Sequence, residues 1–174
     1  MAFQSAVFLK TCAGVPGEIF SSYPHRAQSF QIQSASDAYN IIGATAFTVS
    51  AEGIAQAGNG SGYLSFAGFL FNPKVYALHG TFAGGTLAPT LTLRNFIQAE
   101  FITEGSLWVT LPNTANIGDV VIYDNVTGAI SSISPVTALP SGHTFANAQV
   151  DYFSVTVAGL AVISITPLIL GTAV

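Results

Sequence analysis

At 174 residues the chain suits one domain and is long enough to bury a sizeable core. Its four Lys and Arg and eight Asp and Glu make up 7% of the residues, against roughly 25% in an ordinary soluble domain. The cations Lys10, Arg26, Lys74 and Arg94 are scattered and form no basic stripe that could neutralise a phosphate backbone, which sets nucleic acid aside as a partner.

From the N-terminus, Phe3 to Leu9 reads as a strand, and Lys10 follows the apolar run where a secretory signal would place a cation before it. Cys12 is the one cysteine, so no intrachain disulfide can form. Gly14 to Gly17 and Pro24 break the chain, and further strands are expected at Ser29 to Gln33 and Ile41 to Val49. Between them, Ser34 to Tyr39 carries a weak helical pattern, too short to matter. Residues 51–62, AEGIAQAGNGSG, read as a glycine-rich loop with a soft boundary between an N-terminal region and the main β domain. That loop lacks the lysine of a phosphate-binding P-loop and the spacing of a dinucleotide fingerprint, so it reads as a turn.

The next stretch, FAGFLFNPKVY, sets Phe66, Phe69, Phe71 and Tyr76 around Asn72-Pro73-Lys74. Any one of these rings suits a core, whereas the cluster in so uncharged a chain suits a protein interface. Alternation along a strand would put Phe69 and Phe71 on one face and Phe66 on the other, unless a bulge resets the register. TLAPTLTL, residues 86–93, alternates leucine and threonine, with Pro89 suited to an edge or bulge. Ile97 to Ile102 follows, and in GSLWVTL the residues Leu107, Val109 and Leu111 alternate with Ser106, Trp108 and Thr110. VVIYDNVTGAISSI reads as a hairpin of Val120 to Tyr123 and Ala129 to Ile133, turning through Asp124, Asn125 and Gly128. The last candidates are Gln149 to Ala158 and Leu160 to Thr166. Ser154 to Val174 is uncharged and long enough to span a bilayer, but its β-branched residues, Gly159 and Pro167 argue for buried strand. Short strands at this spacing predict a mainly β fold, a compact barrel or sandwich with long glycine- and proline-rich loops and an extended N-terminal region.

No residue pattern identifies catalysis or a cofactor. His25, His79 and His143 have no metal-ligand spacing. Glu100 and Glu104 need not face one another, and Glu18, Glu52, Asp119, Asp124 and Asp151 occupy separate segments. No catalytic, cofactor or metal site is therefore assigned.

The stretches Phe66 to Tyr76 and Gly84 to Leu93 with Asn95 resemble the central block of the capsid cement (decoration) proteins of tailed bacteriophages. Gly14-Val-Pro-Gly-Glu18, Ile117 to Tyr123 and Gly159 to Ile163 are similar to other parts of that family in the same order, although Arg94 stands where the motif is expected to carry proline. The resemblance implies a non-enzymatic virion protein, made in the host cytoplasm and carried on the outer capsid surface. It would form homotrimers and clamp neighbouring major capsid subunits, using no membrane, metal or cofactor. In that role Phe66, Phe69, Phe71, Lys74 and Tyr76 are candidate protein-contact residues. Two other classes stay open: a β-rich carbohydrate- or receptor-binding virion module, and a hydrolase on a β-barrel.

Overall fold

The computed structural model describes residues 14–20, 24–59, 63–72 and 92–166. Within them lie nine strands: β1 Arg26–Ile32, β2 Ala46–Ser50, β3 Ile54–Ala57, β4 Tyr63–Leu70, β5 Gln98–Leu111, β6 Val120–Asp124, β7 Ile130–Ile133, β8 His143–Tyr152 and β9 Gly159–Ile165. The helical pattern at 34–39 becomes one 3-10 turn, Asp37–Tyr39, capped by Ser36, whose Oγ accepts from the Ala38 amide at 3.3 Å.

The strands pair in the order β1-β3-β2-β4-β5-β9-β8-β6-β7, and an additional β1–β5 pairing closes the first five into a barrel. β5 belongs to both halves of the molecule. Its residues 98–104 pair with β1 and β4, and Gly105 to Leu111 pair with β9. The other edge of that second half would leave unpaired amides and carbonyls. Residues 17–20 cover it: the Gly17 amide donates to the Trp108 carbonyl at 2.7 Å, Trp108 to Glu18 at 2.9 Å and Phe20 to Ser106 at 2.9 Å. Residues 43–46 then tie β5 to β7, through Thr110 to Gly43 at 2.9 Å, Ile130 to Ala44 at 3.2 Å and Ala46 to Gly128 at 2.9 Å.

Two cores result. The barrel encloses Ile32, Phe47, Ala67, Leu70 and Phe101. The second core holds Leu107, Val109, Leu111, Val121, Tyr123, Ile130 and Ile163, with Phe69 and Ile102 contributed from the barrel strands and Phe71 from just beyond β4. The alternation expected in 106–111 is present, since Leu107, Val109 and Leu111 are all fully buried while Thr110 is exposed. The 120–133 hairpin also forms, with Val120 opposite Ile133 and Tyr123 opposite Ile130. Its turn is held by Asp124, whose Oδ1 accepts from the amides of Val126 and Thr127 at 3.0 and 2.7 Å and from the Thr127 hydroxyl at 2.8 Å.

Three segments differ from the sequence reading. Residues 51–62 are not loop throughout: Ile54–Ala57 is β3, which pairs with β1 and β2, so strands on both sides of the glycine-rich stretch share one barrel. Buried Ala55 and Ala57 are too small to announce a strand. β2 begins at Ala46, not Ile41, because residues 41–45 turn through Gly43, at φ 68°, to reach β5 and β7. β8 covers His143–Tyr152 and stops before Phe153, whose φ of 65° breaks the extended backbone. The strand readings at 3–9 and most of 86–93 lie outside the described residues.

Candidate interaction surface

Phe66, Phe69 and Phe71 are brought together on the inside. Along β4, Gly68 pairs with Phe47 but Phe66 pairs with Thr48, so Ala67 is an extra residue that resets the alternation. Gly68 makes this bulge possible, for at φ 109° a Cβ would lie 2.1 Å from the Ile102 carbonyl oxygen. Phe66 and Phe69 therefore meet edge to face at 5.4 Å, and Phe66 also stacks on Tyr123 at 6.1 Å. Phe69 is fully buried, Phe71 nearly so, and half-buried Phe66 packs against the same cluster. The bulge resets the register, so simple alternation does not hold and Phe66 shares a face with Phe69. β4 runs between two cores, with Ala67 and Leu70 turned to the barrel and the phenylalanines to the other side. Lys74 and Tyr76 lie outside the described residues.

The exposed aromatic surface lies elsewhere. Trp108 points away from the second core, and Phe20 and Phe153 cover it, Phe20 at 5.5 Å edge to face and Phe153 stacked at 5.1 Å. Tyr152 joins through Phe20 at 4.9 Å. Gly14 closes the remaining side, where any Cβ would fall 2.4 Å from the indole. Trp108 is 4% exposed, while Tyr152 and Phe153 keep 43% and 47% of their surface open. Phe96 stands apart at 68% exposed. No local sequence signal marks this patch, because Phe20, Trp108 and Tyr152 come from three distant segments. An isolated Tyr-Phe pair gave no periodic signal.

Charge contributes little to that surface. Arg26 and Arg94 are the cations among the described residues, and the Arg26–Glu104 pair, 3.9 Å apart and open to water, is worth little.

A concavity of about 520 Å3 is lined by Glu18, Ile19, His25, Ala27, Phe71, Asn72 and Glu100. It gathers His25 and two carboxylates that sequence spacing kept apart. The Asn72 amide donates to Glu100 Oε2 at 3.3 Å. Among the described residues, no group of three His, Cys, Asp or Glu is placed to hold a metal ion. The carboxyl of Asp124 is held below its ordinary range, first by the Thr127 amide, and burial raises the Tyr123 hydroxyl; neither residue lines the concavity. His143 lies at the β6–β8 end, its Nδ1 3.1 Å from the Ser141 carbonyl, and His79 is outside the described residues. No helix among the described residues is long and apolar enough to cross a membrane. Within the uncharged 154–174 stretch, β9 is a strand paired with β5 and β8, and residues 167–174 lie outside the described residues.

Residues 3–166 match the family model described as "Structural cement protein (E217 gp24/Pam3 gp6)". The chain belongs to the phage structural cement protein family. It is accordingly a structural protein of the virion capsid. Its fold is similar to a chain in the solved structure "The capsid of Myoviridae Phage XM1", with a TM-score of 0.55 and 19% identity over 94% of this chain and 97% of that one. No curated protein matches it.

Proposed function

We propose that this cement protein binds the outside of the assembled capsid as a homotrimer and clamps neighbouring major capsid subunits, without catalysing a reaction. The observation that carries the reading is family membership over residues 3–166. The surface chemistry supports it. A chain with 7% charged residues exposes Tyr152, Phe153 and Phe96, and aromatic side chains are the residues that dominate protein interfaces. Of the 66–76 block, the proposal keeps Lys74 and Tyr76 at the capsid contact and gives Phe66, Phe69 and Phe71 the task of supporting it from within.

The mechanism needs no chemical step. A protein that binds the assembled lattice and not its separated subunits stabilises the lattice by mass action. Weak contacts repeated around a trimer add avidity, because the second and third engagements are intramolecular. A sugar-stacking role is less well served, since Trp108 is covered by Phe20 and Phe153.

Purified protein mixed with empty shells of its own phage should sediment with them, and light scattering should report a trimer. Protein that stays unbound and monomeric would contradict both parts of the proposal.

A further inference from the structure

Phe96 occupies a turn held by bonds from both its backbone and the Asn95 side chain. Its amide donates to the Ile32 carbonyl at 2.7 Å, and the Ile32 amide returns to Ile97 at 3.0 Å. One residue earlier, Asn95 Oδ1 accepts from the Ser34 amide at 2.8 Å and from Asn40 Nδ2 at 3.1 Å. Asn95 Nδ2 donates to the Ser34 carbonyl at 2.8 Å, and the Asn95 amide donates to Asp37 Oδ1 at 3.0 Å. Asn40, fully buried, adds bonds to Leu93 in both directions, at 2.8 and 3.0 Å.

This frame forces Phe96 to φ 66°, a left-handed conformation that a bulky side chain adopts only at a cost. The ring gains little in return. It is 68% exposed and takes part in none of the ring contacts among the described residues. Phe153 makes the instructive contrast: its φ is also left-handed, but its ring stacks on Trp108 and so offsets the strain inside the protomer. Folding alone would favour glycine or asparagine at position 96, which tolerate this φ and expose no apolar ring.

We infer that Phe96 is a pre-set aromatic anchor that inserts into an apolar pocket on the capsid shell subunit. The inference rests on the proposed attachment to the shell. The surroundings favour the shell over a second copy of this chain. The neighbours of Phe96 along the chain and across its backbone bond to Ile32, namely Arg94, Gln98, Gln31 and Gln33, are exposed polar residues. That is the make-up of a contact formed after both partners have folded, whereas permanent subunit contacts are broader and more apolar. The rigid turn means that no loop need be ordered on binding, which raises affinity.

The test uses full-length wild type, Phe96→Gly, Phe96→Asn and Phe96→Tyr, with the melting temperature, the oligomeric state and binding to empty shells measured for each. Phe96→Gly should melt roughly 2–4 °C higher than wild type, because strain is released. It should bind shells at least about tenfold more weakly, with its oligomeric state unchanged. Phe96→Tyr should bind within about threefold of wild type, and Phe96→Asn repeats the glycine result should that variant not fold. Unchanged shell binding by the glycine and asparagine variants overturns the anchor while leaving shell attachment intact. A lower melting temperature would make the ring a folding element, and loss of the oligomer would make the partner a second copy; either result overturns the inference. Wild type that ignores shells removes both the attachment reading and the anchor.

Discussion

β4 and the turn at 92–97 both present phenylalanine, and they use it in opposite ways. On β4 the bulge at Ala67 turns Phe66 towards Phe69, so the aromatic run from Phe66 to Phe71 is absorbed into the core. At the turn, a net of amide bonds from Asn95 and Asn40 holds Phe96 outward in a conformation that glycine would occupy more easily. Ring density in a sequence therefore does not locate an interface. Backbone geometry decides whether a ring is buried or offered.

The largest effect is expected at Phe69. Replacing this fully buried ring with alanine should cost about 3–5 kcal/mol, read as a lower melting temperature of the isolated protein, with shell occupancy falling only as far as the lost stability explains. A similar loss of stability from Phe96→Ala would erase the distinction between the two regions. Next in size is Gly68→Ala. The added methyl would meet the Ile102 carbonyl oxygen at 2.1 Å in a left-handed backbone, so at least about 2 kcal/mol should be lost in chemical denaturation. A neutral result would mean that β4 carries no such bulge and that its phenylalanines alternate after all.

The frame behind Phe96 can be tested through Asn95→Ala, which removes three side-chain bonds and leaves the buried Asn40 amide short of a partner. A cost of about 2–3 kcal/mol is expected, together with weaker shell binding because the turn no longer holds its ring in place. The smallest effect belongs to the β6–β7 turn. Asp124 has its carboxyl lowered first by the Thr127 amide, so the stability it contributes is present above its unfolded value and is lost as pH falls through the lower folded value. Asp124→Asn should cost less than about 1 kcal/mol at neutral pH, and the gap to wild type should close below about pH 4 in a melting series. A gap that persists into acid would place the effect outside that carboxylate.

Much of the β architecture was legible because apolar residues alternate where one face meets a core, as at Leu107, Val109 and Leu111. The 120–133 hairpin was legible because Asp124 and Gly128 are turn chemistry in plain view. β3 was hidden because alanine fills its buried positions, and the start of β8 because His143, Asn147 and the neighbouring alanines have low strand preference. The placement of Phe66 could not be read from alternation, since one extra residue inverts everything beyond it. The outer aromatic patch and the Asn95 net are long-range assemblies. Phe20 with Trp108 and Ser34 with Asn95 join segments whose spacing carries no local signal.

Cementing of an assembled shell can be measured by calorimetry of empty capsids titrated with the purified protein. The shell transition should rise in temperature as free protein increases beyond its dissociation constant, since ligand that binds only the assembled lattice stabilises it by a term that grows with the logarithm of its concentration. Protein that saturates the shells without moving that transition, or that never binds them, would contradict the account.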